Sequence, residues 1–171
     1  AFDDLKRHLE TLVREKREGS DRARREALYQ GRDLDEEGSD GRAMEGSGWK
    51  VPGLETVPRG EIDEKLAPLL DIVEGRQSVF FYCGAPMDVN RALEIARTNG
   101  FLARTVLVLD ASCWKAADVI AEAGVPVILD SDLIDSEFDP LTGEEEETFV
   151  PGVFRDAGVR FALTSQNSTG K

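Results

Sequence analysis

Between residues 78 and 164 short apolar runs alternate with amphipathic stretches that stop at glycine, and this alternation restricts the fold more than any other feature of the chain. Residues 78–83 (SVFFYC), 104–109 (RTVLVL), 125–129 (VPVIL) and 159–164 (VRFALT) read as strands. The stretches between them, at 87–99, 114–123 and 151–157, carry helical spacing, and glycine follows each one closely at Gly100, Gly124 and Gly158. Strands separated by helices imply a parallel sheet, because a parallel pair needs a crossover of about a dozen residues or more. Near-continuous apolar strands predict cover on both faces. The expected class is therefore α/β, built of consecutive βα units, either an open doubly wound sheet or part of a βα barrel.

The first fifty residues have another character. Phe2, Leu5, Leu9, Leu12 and Val13 mark one apolar helix face running to about Lys16, and a very basic helical piece follows at 21–29. Residues 31–48, rich in Gly, Asp, Glu and Ser, predict a loop. From Val51 onward apolar spacing returns, with a helix expected over 62–73 and a stop at Gly75. These changes suggest an N-terminal segment at 1–50 and a βα-unit domain at 51–171.

A formal charge of −13 repels nucleic acid phosphates and anionic headgroups, so neither nucleic acid nor a membrane surface is an expected partner. The sequence has no apolar run long enough to span a bilayer, and its first residues do not read as a secretory signal, so a cytoplasmic location is expected. Two cysteines, Cys83 and Cys113, are too few for a disulfide framework and read as reduced, packed thiols. Asn167-Ser168-Thr169 fits the glycosylation pattern, and the terminal SQNSTGK has the flavour of a phosphate loop, but both are short patterns expected by chance.

In a parallel sheet functional groups belong at the carboxyl ends of the strands, which directs attention to residues 82–85, 109–111, 130–132 and 165–167. Asp130, Asp132, Asp135, Glu137 and Asp139, followed by Glu144 to Glu147, crowd the region after the third strand. Hard cations favour several carboxylate oxygens, but the spacing lacks the order of an EF-hand, and a solvated acidic loop is the expectation. The weak metal candidates are Cys83, Asp110, Asp130 and Asp132. Cys83 as a nucleophile would need a base, and the sequence holds one histidine, His8.

The stretches EKLAPLLDIVEGRQSVFFYC, MDVNRALEIA, WKAADVIAEAGVPVIL and PGVFRDAGVRFALTS, in this order over residues 66–167, resemble the C-terminal half of the barrel in the amidohydrolase superfamily, in particular its imidazolonepropionase-like branch. The resemblance implies a partial (β/α)8 barrel. It also implies a metal-dependent C–N hydrolase ancestry, with histidine ligands ending two strands and an aspartate ending the last. The equivalent positions here are Tyr82, then Leu109 or Asp110, then Gln166, so the ligands are substituted. It also suggests an aromatic-lysine pair, Trp114 and Lys115, near the site mouth, although a surface lysine is the simpler expectation.

The expected function is thus a non-catalytic structural or regulatory subunit, or a fragment, with no cofactor. Four βα units leave two open sheet edges, which predicts a homo-oligomer or association with another amidohydrolase-like half. The alternative is a hydrolase of cyclic amides or amidines, using zinc or another divalent metal, with its remaining ligands outside this chain. A small-anion-binding doubly wound module is a third expectation.

Overall fold

The computed structural model describes residues 1–30, 51–130 and 132–164. The chain divides into two compact units, Ala1–Gln77 and Ser78–Lys171. The division falls between Gln77 and Ser78 rather than at the change of composition near residue 50. The reason is packing: Val51, Leu54, Val57, Ile62, Leu70 and Val73 share one core with Leu5, Leu9 and Val13.

In the first unit, α1 (Phe2–Gln30) is continuous, where the sequence suggested two helical pieces. Gly19 lies in its middle with open space around it. A solvent-facing glycine costs a helix only about 1 kcal/mol relative to alanine, too little to break one anchored by Leu5, Leu9 and Val13. The helix α2 (Ala67–Val73) is shorter than the 62–73 expected, with 3-10 turns at Leu54–Thr56 and Arg59–Glu61 preceding it. Arg59 and Arg76 both pair with Asp71 and Glu74, and Lys16 meets Glu61 at 2.7 Å.

The second unit holds β1 (Val79–Cys83), α3 (Pro86–Thr98), β2 (Thr105–Leu109), a 3-10 turn (Ala111–Ala116), α4 (Ala117–Ala123) and β3 (Val127–Leu129). It continues with β4 (Ile134–Phe138), β5 (Glu145–Phe149), α5 (Val150–Asp156) and β6 (Phe161–Leu163). The strands β1, β2, β3 and β6 form one sheet in that order, every pair parallel. Gly100, Gly124 and Gly158 take positive φ after their helices, as the sequence predicts.

The second unit's own helices all cover the same face of this sheet. Cys83, Leu107, Leu109, Val127 and Leu129 share a core with Val89 and Leu93 of α3, Ile120 of α4, and Val150 and Phe154 of α5. Phe81 adds a stacked contact with Phe101, ring centroids 6.3 Å apart. The alternate residues Phe80, Tyr82, Val106, Val108, Ile128 and Ala162 face the other way and belong to no core cluster of the described residues. Phe80 is 61% exposed and Tyr82 64%. The sequence expectation of two covered faces is corrected: the strands are apolar on both sides, but the unit's own helices cover one.

The acidic stretch after β3 is also not a plain loop. β4 and β5 form an antiparallel ribbon pairing Ile134 with Phe149 and Phe138 with Glu145. Asp139 closes its turn, accepting from the Leu141 N–H at 2.7 Å, and Gly143 follows at φ +74. Those backbone hydrogen bonds hold the Asp139 carboxyl below its ordinary value.

Two glycines of the first unit should respond in opposite ways to the same substitution. Gly19→Ala should raise the unit's thermal stability by about 1 kcal/mol. Gly53 sits at φ +94, and an added Cβ would lie 2.8 Å from Cγ1 of Val13, so Gly53→Ala should lower stability by more than ~1 kcal/mol. Thermal unfolding followed by far-ultraviolet circular dichroism reads both signs.

Candidate functional site

The parallel sheet ends in a row of backbone hydrogen bonds that carries its ladder one residue beyond the strands. Asp110 N–H donates to Cys83 O at 3.0 Å, Asp130 N–H to Leu109 O at 3.1 Å, and Thr164 N–H to Leu129 O at 3.1 Å. Strand alternation then decides which side chains share a face. Tyr82, Asp110 and Asp130 fall on the face opposite α3, α4 and α5, at the carboxyl ends of β1, β2 and β3.

Electrostatics agrees with this placement. The phenol of Tyr82 is raised above its ordinary value, first by the charge of Asp110, then by desolvation and by the charge of Asp130. Asp110 has a structural task as well: its Oδ1 accepts from the Ala111 N–H at 2.7 Å and caps the 3-10 turn.

The remaining sequence candidates go elsewhere. Leu109 is buried in the helix-side core. Cys83 follows Tyr82 and so faces the helices, where burial, with Asp88 adding, pushes its thiol up to about 11. Cys113 is buried beside it, its Sγ donating to Cys83 O at 3.2 Å, and burial with Cys83 pushes it up to about 12. Both are free thiols. Asp132 is exposed after β3. Gln166, Asn167, the terminal SQNSTGK and the loop at 31–48 lie outside the described residues. His8 belongs to the first unit, where its Nε2 accepts from the Asp63 N–H at 3.1 Å, so it has a packing role there.

A catalytic zinc centre takes three or more imidazole, thiolate or carboxylate donors and leaves a position for water. The convergent set here is one phenol and two carboxylates, with the nearest thiol on the opposite face. Among the described residues no group of three or more His, Cys, Asp or Glu could hold a metal ion. The described residues at this sheet end do not fit the metal group that the sequence resemblance implies.

The aromatic-lysine pair does have a local partner, and the sequence alone did not reveal it. Trp114 Nε1 donates to Oδ2 of Asp135 at 2.7 Å, while Lys115 pairs with Glu137 and lies 5.8 Å from the centre of the Trp114 ring. These contacts fasten the β4–β5 ribbon to the segment following β2. The hydrogen bond that Lys115 donates to the Glu137 carboxylate raises Lys115 above the ordinary lysine value. The available signal was the period of two in Asp135 and Glu137, which puts both carboxylates on one face of a strand.

No protein family, curated protein or solved structure matches the chain. Among the described residues no helix is long and apolar enough to cross a membrane.

Two measurements probe this end of the sheet. In a spectrophotometric pH titration Tyr82→Phe should remove a phenolate transition above the ordinary tyrosine value, and Asp110→Asn should move that transition down, because the neutral side chain no longer opposes phenolate charge. For the thiols, a fast alkylating reagent at pH 8 should leave Cys83 and Cys113 unmodified in the native chain and label both in denaturant, read by intact mass. Labelling of either cysteine at its denatured rate in the native chain would contradict the burial.

Proposed function

We propose that this chain is a non-catalytic structural or regulatory subunit built on half of a βα barrel, related to amidohydrolase-like barrels and with the metal ligands replaced. The observation that carries the reading is the parallel sheet in sequential order, with its helices on one face and an uncovered apolar face on the other. A closed βα barrel has this layout: consecutive strands pair in chain order, helices form the outer ring, and the inner face is packed with side chains. A doubly wound sheet places helices on both faces and reverses its strand order at the point where ligands bind. The order β1-β2-β3-β6 has no reversal, so the small-anion module has no crevice of that kind to offer.

The replaced ligands support the non-catalytic part of the reading. A hydrolase of this class relies on a metal to polarise the scissile carbonyl and lower the pKa of bound water. Tyr82, and Leu109 or Asp110, stand at the strand ends where the resemblance implies histidines, and the Asp110 carboxylate already accepts from the Ala111 backbone N–H. Such groups can still orient a barrel mouth through hydrogen bonds.

One observation favours the alternative, a divalent-metal hydrolase of cyclic amides or amidines completed by ligands from elsewhere: Asp110 and Asp130 both act on Tyr82 at the same sheet end. Elemental mass spectrometry on the purified chain separates the two readings. The subunit reading expects zinc, manganese and iron well below one equivalent and no hydrolysis of a cyclic amide panel. One equivalent of a transition metal, lost in Asp110→Asn and Asp130→Asn, would establish the hydrolase reading instead.

A further inference from the structure

We propose that the partner completing the sheet is a second copy of this chain, related by a two-fold axis parallel to the strands so that two four-stranded sheets close one eight-stranded barrel. The proposal rests on the half-barrel reading and goes beyond it by naming the occupant of the open face and edges.

Strand count and direction make a second copy sufficient. Among the described residues the four parallel strands leave two edges without a strand partner, the outer sides of β1 and β6. A two-fold axis along the strands preserves their direction, so β6 of each copy meets β1 of the other in parallel. Both edges are consumed, and the total of eight is the number at which side chains alone fill a parallel barrel.

The edges are built for pairing. Solvent-facing edge strands are ordinarily blunted by charges or proline, yet β1 (VFFYC) and β6 (FAL) contain neither. The uncovered face is also free of formal charge along Phe80, Tyr82, Val106, Val108, Ile128 and Ala162.

Side-chain size selects the joint. The β1 edge presents Phe80 and Tyr82, both largely exposed, and the β6 edge presents Ala162 on the same face. Joining β1 to the second copy's β6 sets large side chains beside a small one, as an interdigitated interior requires. Joining β1 to the second copy's β1 would crowd four aromatic rings on one side and leave a gap across from it. Closure brings Asp110 and Asp130 of both copies to one mouth, and each chain carries a charge of −13, so association should strengthen as salt is added.

The test uses the full chain in native mass spectrometry and sedimentation, with cross-linking to read the joint. The expected result is a dimer that tightens with sodium chloride. Val108→Arg should weaken it by at least ~30-fold. Phe80→Asp, at a site already exposed, should do the same with circular dichroism unchanged. A short bifunctional thiol reagent should link Phe80→Cys/Ala162→Cys into covalent dimers and leave each single variant uncoupled. Within one chain the two positions stand three strand spacings apart, each roughly 4.8 Å. A monomer at all salt concentrations overturns the proposal, as does a dimer that the Phe80→Cys single variant cross-links or that survives both face substitutions. Metal content is read separately, so a metal-free monomer would remove the second copy while leaving the subunit reading, and a metal-loaded dimer would do the reverse.

Discussion

Everything in the second unit follows from how its parallel sheet is buried. α3, α4 and α5 all pack on one face, against Cys83, Leu107, Leu109, Val127 and Leu129. Burying apolar surface contributes about 25 cal/mol per Å², so this face supplies the unit's stabilising core. The same arrangement leaves Phe80 and Tyr82 in solvent and fixes which strand-end residues can meet. Tyr82, Asp110 and Asp130 converge because alternation sends all three away from the helices, and Leu109 and Cys83 are withdrawn by the same rule.

Much of this architecture was legible in the sequence. The four apolar runs became the four parallel strands, trimmed at their ends, and the glycines after the helices mark where each one stops. Local patterns could not say which core a helix joins. The apolar spacing of α2 would have suited the sheet equally well, and only its contacts with the α1 face assign it to the first unit. Strand composition likewise reports that both faces are apolar, not that both are covered. The ribbon was missed because Asp and Glu are poor strand formers, and Ile134, Ser136 and Phe138 offered only a weak alternation against that bias.

The candidate site was legible as a place rather than as a chemistry. Tyr82, Asp110 and Asp130 lie at the carboxyl ends of β1, β2 and β3, on the face opposite the helices. Asp132 and Cys83 depart for reasons of exposure and strand parity, which depend on where each strand ends to within one residue. Trp114 and Lys115 are occupied by the ribbon, through Asp135 and Glu137, so the acidic segment has a fixed attachment instead of hanging free.

That attachment has a thermodynamic side. The ribbon's register sets Glu137 directly across from Glu146, a pairing of like charges that disfavours the two strands. Lys115 offsets part of this by pairing with Glu137. Screening lengths shrink from about 30 Å at 0.01 M salt to about 3 Å at 1 M, which weakens the exposed repulsion along the ribbon. The order of this hairpin is therefore tied to the ionic strength around it, and the segment registers the composition of its medium while the buried apolar core between the sheet and its helices does not.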